Sequence, residues 1–197
     1  AWIAGSDIEI GSVKIRNIDG KGKDAEVQTH DSIVFVRAGA IETLSSQSMV
    51  SSLQDIGFLV VNDLDSMLVC DNKMSNALMM ERNNIPIPRT SIISNEKSIE
   101  DAHKRIGGKF PVIVKTLKGT QGVGVMKIDS MSSLTGVCQG LWKYEADLLL
   151  QEYKEMKSDI RTLVIGGKIL ASAERIREKD NKDFRNNVHL GASTVPY

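Results

Sequence analysis

One strand of this chain carries a lysine where an otherwise apolar run excludes charge. Residues 110–125 read Phe-Pro-Val-Ile-Val-Lys-Thr-Leu-Lys-Gly-Thr-Gln-Gly-Val-Gly-Val. The strand that holds Lys115 runs into a glycine-rich loop, and the loop runs straight into a second strand over Val125–Ile128. A hairpin with a glycine tip is the fold this pattern dictates. A lysine is costly to bury unless an anion meets it. Glycines let successive backbone N–H groups approach such an anion closely. Together the two features predict a phosphate grip. The bland alternatives are an ordinary hairpin with a glycine turn, and an edge-strand lysine that snorkels to water. Two familiar phosphate motifs are excluded. A P-loop needs Gly-Lys followed by Ser or Thr and then a helix, whereas Lys118 precedes Gly119. A Rossmann fingerprint needs strand, glycine turn and helix, whereas only Gly122 and Gly124 have its spacing and Val125-Met126-Lys127-Ile128 reads as strand.

The 197 residues suffice for one or two compact units with a real core. Net charge is zero, from 25 basic and 25 acidic side chains, so there is no global electrostatic case for nucleic acid. Aromatic residues make up only 5%, which argues against base-stacking platforms. Cys70 and Cys138 have neither metal-ligand nor redox spacing and read as reduced packing residues of a cytoplasmic protein. No apolar run reaches transmembrane length and no signal peptide opens the sequence, so no membrane partner is expected. The chain opens on Ala1 rather than Met and closes on Val195-Pro196-Tyr197 without a polar tail, so a piece of a longer protein is expected.

Along the chain, Ile8–Ile10 and Val13–Ile15 look like strand pieces separated by Gly11, and 19–23 is a turn signal. Ile33–Val36 and Phe58–Val61 are continuous apolar runs of the kind found in buried parallel strands. Between them Ser45–Ile56 has helical apolar spacing and stops at Gly57. A second helix is expected over Asp71–Asn84 with Asp71 as N-cap, ending before Ile85-Pro86-Ile87-Pro88. Ser91–Ile93 reads as strand, Asn95 as the cap of a helix stopped by Gly107-Gly108, and Ser130–Tyr144 as helix. Leu148–Tyr153 is a strand, and Asp159–Ile165 and Lys168–Arg175 flank a Gly166-Gly167 hairpin turn.

Several side chains could carry chemistry. Lys73 follows the expected cap at a helix start, where anions are favoured, though a solvated surface lysine is the plainer reading. Glu152 stands at the end of an apolar strand and Asp159 follows a short linker. Such carboxylates suit ribose hydroxyls, or are merely solvated, and Asp159-Ile160-Arg161 could be a local ion pair of little worth. Arg185, Asn186 and Asn187 put a guanidinium and two amides within three residues, a set suited to phosphoryl oxygens, or to an Asn-rich turn. His103 lies near Ile99, Ala102 and Ile106 and reads as packing.

Taken in order, Asp71-Asn72-Lys73, Ile85–Thr90, Pro111–Lys115, Gly119–Val125, Gln151-Glu152-Tyr153, Asp159-Ile160-Arg161 and Asp183–Asn187 resemble the RimK-like branch of the ATP-grasp superfamily, over roughly Ile33–His189. The resemblance implies a mixed α/β (α+β) chain: a partial ATP-grasp fold with a small Rossmann-like N-terminal portion. Its division would be an incomplete pre-ATP-grasp domain over 1–70 and an ATP-grasp domain over 71–197 that lacks its metal-binding end. It implies an ATP- and Mg²⁺-dependent (or Mn²⁺-dependent) carboxylate–amine ligase. Such an enzyme forms an amide through an acyl-phosphate, adding glutamate to an unknown carboxylate or protein-tail acceptor. Lys73 and Lys115 would meet the ATP phosphates, and the loop with Gly119, Gln121 and Gly122 would close over them. Glu152 and Tyr153 would line the adenine pocket and Asp159 would bind the ribose. Arg185, Asn186 and Asn187 would face the γ-phosphate, with Arg185 and Asn187 catalytic. The family's magnesium ligands, an Asp and a Glu-x-Asn, would lie beyond Tyr197. The Glu81-Arg82-Asn83 match stands far upstream and reads as coincidence. Two rivals remain open: a nucleotide-binding module without catalysis, and an ATP-dependent small-molecule kinase on the same fold. Assembly into a homo-oligomer is also open.

Overall fold

The computed structural model describes residues 8–15, 23–37, 39–119, 122–178, 183–187 and 191–197. The chain divides into two compact units, Ala1–Asn72 and Lys73–Tyr197. The expected turn over 19–23 falls largely outside the described residues, as do Gln121 and His189.

In the first unit, β1 (Ile8–Glu9), β2 (Ser12–Ile15) and β3 (Ala25–Gln28) form an antiparallel meander. β4 (Ile33–Phe35) pairs parallel with β5 (Leu59–Val61), and α1 (Leu44–Asp55) crosses between them. Helix α1 starts where Thr43 and Ser46 cap each other: Thr43 Oγ1 accepts from the Ser46 N–H at 3.1 Å and Ser46 Oγ from the Thr43 N–H at 3.2 Å. Val13, Val36, Ile41, Val50, Leu53, Phe58 and Val60 make the core. The two parallel strands are not buried on both faces, contrary to their composition. Ile33 and Phe35 are 65% and 72% exposed and Leu59 is 60% exposed. A pair of strands alternates its side chains, and α1 packs on one face of it.

The second expected helix is two helices. α2 (Leu64–Asp71) is capped by Asp63, and α3 (Lys73–Arg82) follows after the single residue Asn72. Asp71 therefore closes a helix rather than capping one, and Lys73 opens the second unit.

That unit is built on a four-stranded antiparallel sheet with the order β6 (Thr90–Ile93), β9 (Leu148–Glu152), β7 (Val112–Thr116), β8 (Val125–Ile128). Strand alternation splits its side chains cleanly. Ile93, Val112, Val114, Ile128, Leu148 and Leu150 face α4 (Ile99–Arg105) and α5 (Met131–Trp142), where they pack with Ile99, Ala102, Leu134 and Cys138. Full burial of each large aliphatic contributes about 1.5–3 kcal/mol. His103 is buried here as packing, its ring stacked on Phe110 at 4.4 Å between centroids. Thr90, Ile113, Lys115, Val125 and Gln151 point from the opposite face. β10 (Ser158–Ile165), β11 (Lys168–Arg177) and β12 (Ala192–Pro196) form a second antiparallel sheet. Its hairpin turns on Gly166 and Gly167, with φ of 56° and 74°, values a two-residue type I′ turn requires. No helix among the described residues is long and apolar enough to cross a membrane.

Candidate functional site

Lys115 lies on β7, an interior strand, so it is not an edge lysine reaching round to solvent. It occupies the sheet face opposite the helices. Burial lowers its pKa first, and the like charge of Lys73 adds to the effect. Its ammonium donates to Gln151 Oε1 at 2.6 Å. A cavity of about 180 Å³ opens beside it. Pro88, Ile113, Val125, Tyr153, Met156 and Phe184 supply apolar walls, while Lys115, Glu152, Asp159, Arg185, Asn186 and Asn187 supply polar groups.

The fold thus brings together seven of the residues singled out from sequence: Lys115, Glu152, Tyr153, Asp159, Arg185, Asn186 and Asn187. Gly122 joins them through its carbonyl, which accepts from Arg185 Nη1 at 2.6 Å. A Cβ on Gly122 would come within 3.2 Å of Asn187 Oδ1 and 3.3 Å of Arg185 Cδ. A side chain there would wedge the loop off the Arg-Asn-Asn turn. Lys73 and Gly119 meet at the loop's other end, where Lys73 Nζ donates to Gly119 O at 3.0 Å. Neither lines the cavity.

Every carboxylate on this cavity wall is held by a guanidinium. Arg89 grips Glu152 with Nε and Nη2 on Oε2, at 3.0 and 2.7 Å, and with its backbone N–H on Oε1 at 2.9 Å. Lys154 sits 3.1 Å from Oε1. The side-chain bond from Arg89 is the main cause that lowers the Glu152 pKa to about 2. Asp159 pairs with Arg175 directly across the β10–β11 ladder, both contacts falling on Oδ1 at 2.6 Å. The local pairing with Arg161, one of the alternatives the sequence left open, gives way to this cross-strand one, because register rather than proximity in sequence sets neighbours in a hairpin. Asp183 holds Arg185 side-on, with bonds of 2.9 and 2.6 Å from Nε and Nη2, so the Asp183 carboxyl lies below its usual range and the Arg185 guanidinium above it.

Two implied groups can be tested against these residues. A nucleotide fits: there is a half-buried cation on the cavity wall, an apolar slot, and a glycine loop lying against an Arg-Asn-Asn turn. Lys115 and Arg185 would hold its phosphates and the apolar walls its base. Magnesium does not fit the described residues. Their cavity carboxylates are already paired, and no three His, Cys, Asp or Glu side chains gather among them.

Gln151, Arg89 and Phe184 belong to the segments that carry the resemblance but had no role assigned, and Arg175 and Met156 belong to none of them. Alternation alone could have found Ile113, which shares the face of Lys115. The others depend on pairings between distant segments.

Solved structures similar to this chain include ligases and synthetases. D-alanyl-alanine synthetase A from Vibrio cholerae superposes with a TM-score of 0.65 at 17% identity, over 95% of this chain and 57% of that one. D-alanine–D-alanine ligase from Bacillus anthracis, solved with ATP, gives 0.60 at 14% identity, over 76% and 47%. The fold is a partial ATP-grasp fold. A family model described as a RimK-like ATP-grasp domain matches residues 70–197, and the chain belongs to that family. A probable alpha-L-glutamate ligase of Methanococcoides burtonii is 34% identical over 87% of this chain and 56% of its own length. The chain spans little more than half the length of the curated relatives it matches.

Proposed function

We propose that this chain is the nucleotide-binding part of an ATP-dependent carboxylate–amine ligase that adds glutamate to a carboxylate acceptor in the cytoplasm. The observation that carries the reading is Lys115: a half-buried ammonium on an interior strand, facing a cavity and matched by no carboxylate among the described residues. ATP supplies the phosphoryl group that activates the acceptor carboxylate for attack by the amine. This chain's residues bind and orient it. The apolar walls take the adenine, between Ile113, Val125 and Tyr153. Both bonds to Asp159 fall on Oδ1, which leaves Oδ2 to accept from a ribose hydroxyl. The Glu152 carboxylate is occupied by Arg89 and Lys154, so it fixes the strand end rather than touching ligand. Arg185 uses three donors on Asp183 and Gly122 and keeps two of its five for phosphate. With Asn187 it would stabilise charge on the transferring group. Lys73 anchors the loop that covers the phosphates.

The relative's printed name supports glutamate as the amine. Magnesium enters this proposal only for the longer protein, through carboxylates other than those described. A second reading, a nucleotide-binding module without catalysis, is favoured by one observation: both carboxylates that line the cavity, Glu152 and Asp159, are paired to guanidinium groups.

Calorimetric titration of the 197-residue chain with ATP is the test. Binding that weakens about tenfold or more in Lys115→Ala, the worth of one charge-assisted contact, supports the site. Unchanged affinity in that variant removes Lys115 from it, and no binding by the wild type removes the reading. In the longer protein, a ligase releases ADP and phosphate only with both acid and amine present. A kinase leaves a stable phosphorylated product, and a module binds without turnover.

A further inference from the structure

Lys115 does not stand alone on its sheet face. In the β6–β9 ladder Thr90 lies opposite Gln151, and in the β9–β7 ladder Ile113 does, which puts Lys115 one diagonal step from Gln151 on the same face. Three hydrogen bonds link these residues in one direction. Thr90 Oγ1 donates to Pro88 O at 2.8 Å, Gln151 Nε2 donates to Thr90 Oγ1 at 2.7 Å, and Lys115 Nζ donates to Gln151 Oε1 at 2.6 Å. Pro88 O can only accept, so the Thr90 proton is committed to it. Thr90 Oγ1 must then accept, which fixes the Gln151 amide with its NH₂ toward Thr90 and its carbonyl toward the ammonium. The reverse orientation would set an NH₂ against a cation.

The choice of partner matters. A carboxylate at this point would form a half-buried ion pair and cancel the charge an incoming phosphate needs. An amide carbonyl satisfies one of the three ammonium donors and leaves the charge whole. We propose that Gln151, oriented by Thr90 and Pro88, is a positioning residue that holds Lys115 toward the cavity as an uncompensated cation for the phosphates of a nucleotide. This inference rests on the nucleotide reading above. It adds a residue, and a reason for its being Gln rather than Glu.

Gln151→Glu changes shape little and charge by one. It is compared with wild type for ATP and for adenosine, which carries the base and ribose without phosphate. The expected result is ATP affinity reduced about tenfold or more, as one charge-assisted bond is worth, with adenosine affinity and melting temperature held. Gln151→Met, which accepts only weakly and adds no charge, should weaken ATP only about threefold, again sparing adenosine. It serves as the second probe should the Glu variant fold poorly. Equal loss for ATP and adenosine in these variants would mean a merely structural role and overturn the proposal. Wild-type ATP affinity in both variants would overturn it while leaving the nucleotide reading intact. Failure of the wild type to bind ATP would overturn both.

Discussion

Arg89 shows how much one side chain can organise. It ties the Pro-rich segment before β6 to the end of β9 through three donors on Glu152. The Glu152 carboxyl falls from 4.5 to about 2 through this grip. Because the folded pKa is the lower one, the ionised carboxylate stabilises the fold fully above the unfolded value, and this contribution fades as pH falls from about 4.5 toward 2. Glu152→Gln is therefore expected to cost about 1 kcal/mol at neutral pH, a low figure because Arg89 is largely exposed and solvent screens the pair. Urea unfolding at about pH 7 and about pH 3 checks this: the gap to wild type should narrow at the lower pH. A gap equal at both would show that ionisation of Glu152 is not what stabilises. His103 offers the opposite case. Its Nε2 is buried without a hydrogen-bond partner among the described residues, so His103→Leu should raise stability by about 1 kcal/mol, read as a higher melting temperature. A lower melting temperature would mean that the stack on Phe110 outweighs the orphaned nitrogen.

Glycines at element ends do more here than stop helices. Gly107 follows α4 with φ of 113°, and a Cβ there would lie 2.5 Å from the Arg89 guanidinium. The missing side chain is what lets Arg89 lie across the helix end and reach Glu152. Gly107→Ala should cost about 1–3 kcal/mol from backbone strain alone. It should also be non-additive with Glu152→Gln, since both release the same clamp. Gly108 has φ of 64° and open space around its Cβ position, so Gly108→Ala should couple to Glu152 not at all. Denaturation of the two double mutants measures both couplings. Equal coupling at 107 and 108 would refute the seating of Arg89 by Gly107. The sequence made the helix stop at Gly107-Gly108 visible, because a glycine pair after a periodic run is a local signal. It did not reveal Arg89 as the reason for one of them. The same limit explains the elements that were missed. β3 and β12 have little apolar alternation and exist through pairing with β2 and β11. Helices α2 and α3 blurred because only Asn72 separates them, and Asp71 carries the composition of a cap wherever it stands.

At the scale of the whole chain, legibility divides along the same line. The lysine strand, the glycine loop and the Arg-Asn-Asn turn were readable because each is a local run of unusual composition. The meeting of the lysine strand and the turn on one cavity, the bond from Arg185 to Gly122 of the loop, and the roles of Gln151 and Arg175 come from contacts between segments distant in sequence. Exposed apolar groups on β4 and β5 were unreadable for a related reason: a strand's composition says what it can bury, and its neighbours decide what it does bury. The two buried cores, by contrast, follow the division of the chain. Val13 to Val60 supply one and Ile93 to Leu150 the other, and all of the cavity residues belong to the second unit. A unit with its own sheet, its own helices and its own close-packed core has what independent folding requires. Residues 73–197 alone should therefore unfold cooperatively and bind ATP within about threefold of the whole chain, a difference well under 1 kcal/mol. Dispersed amide resonances with unchanged affinity would establish that the proposed nucleotide site is self-contained. A folded 73–197 with lost affinity would assign part of the site to the first unit, and a molten one would show that the second core is insufficient without it.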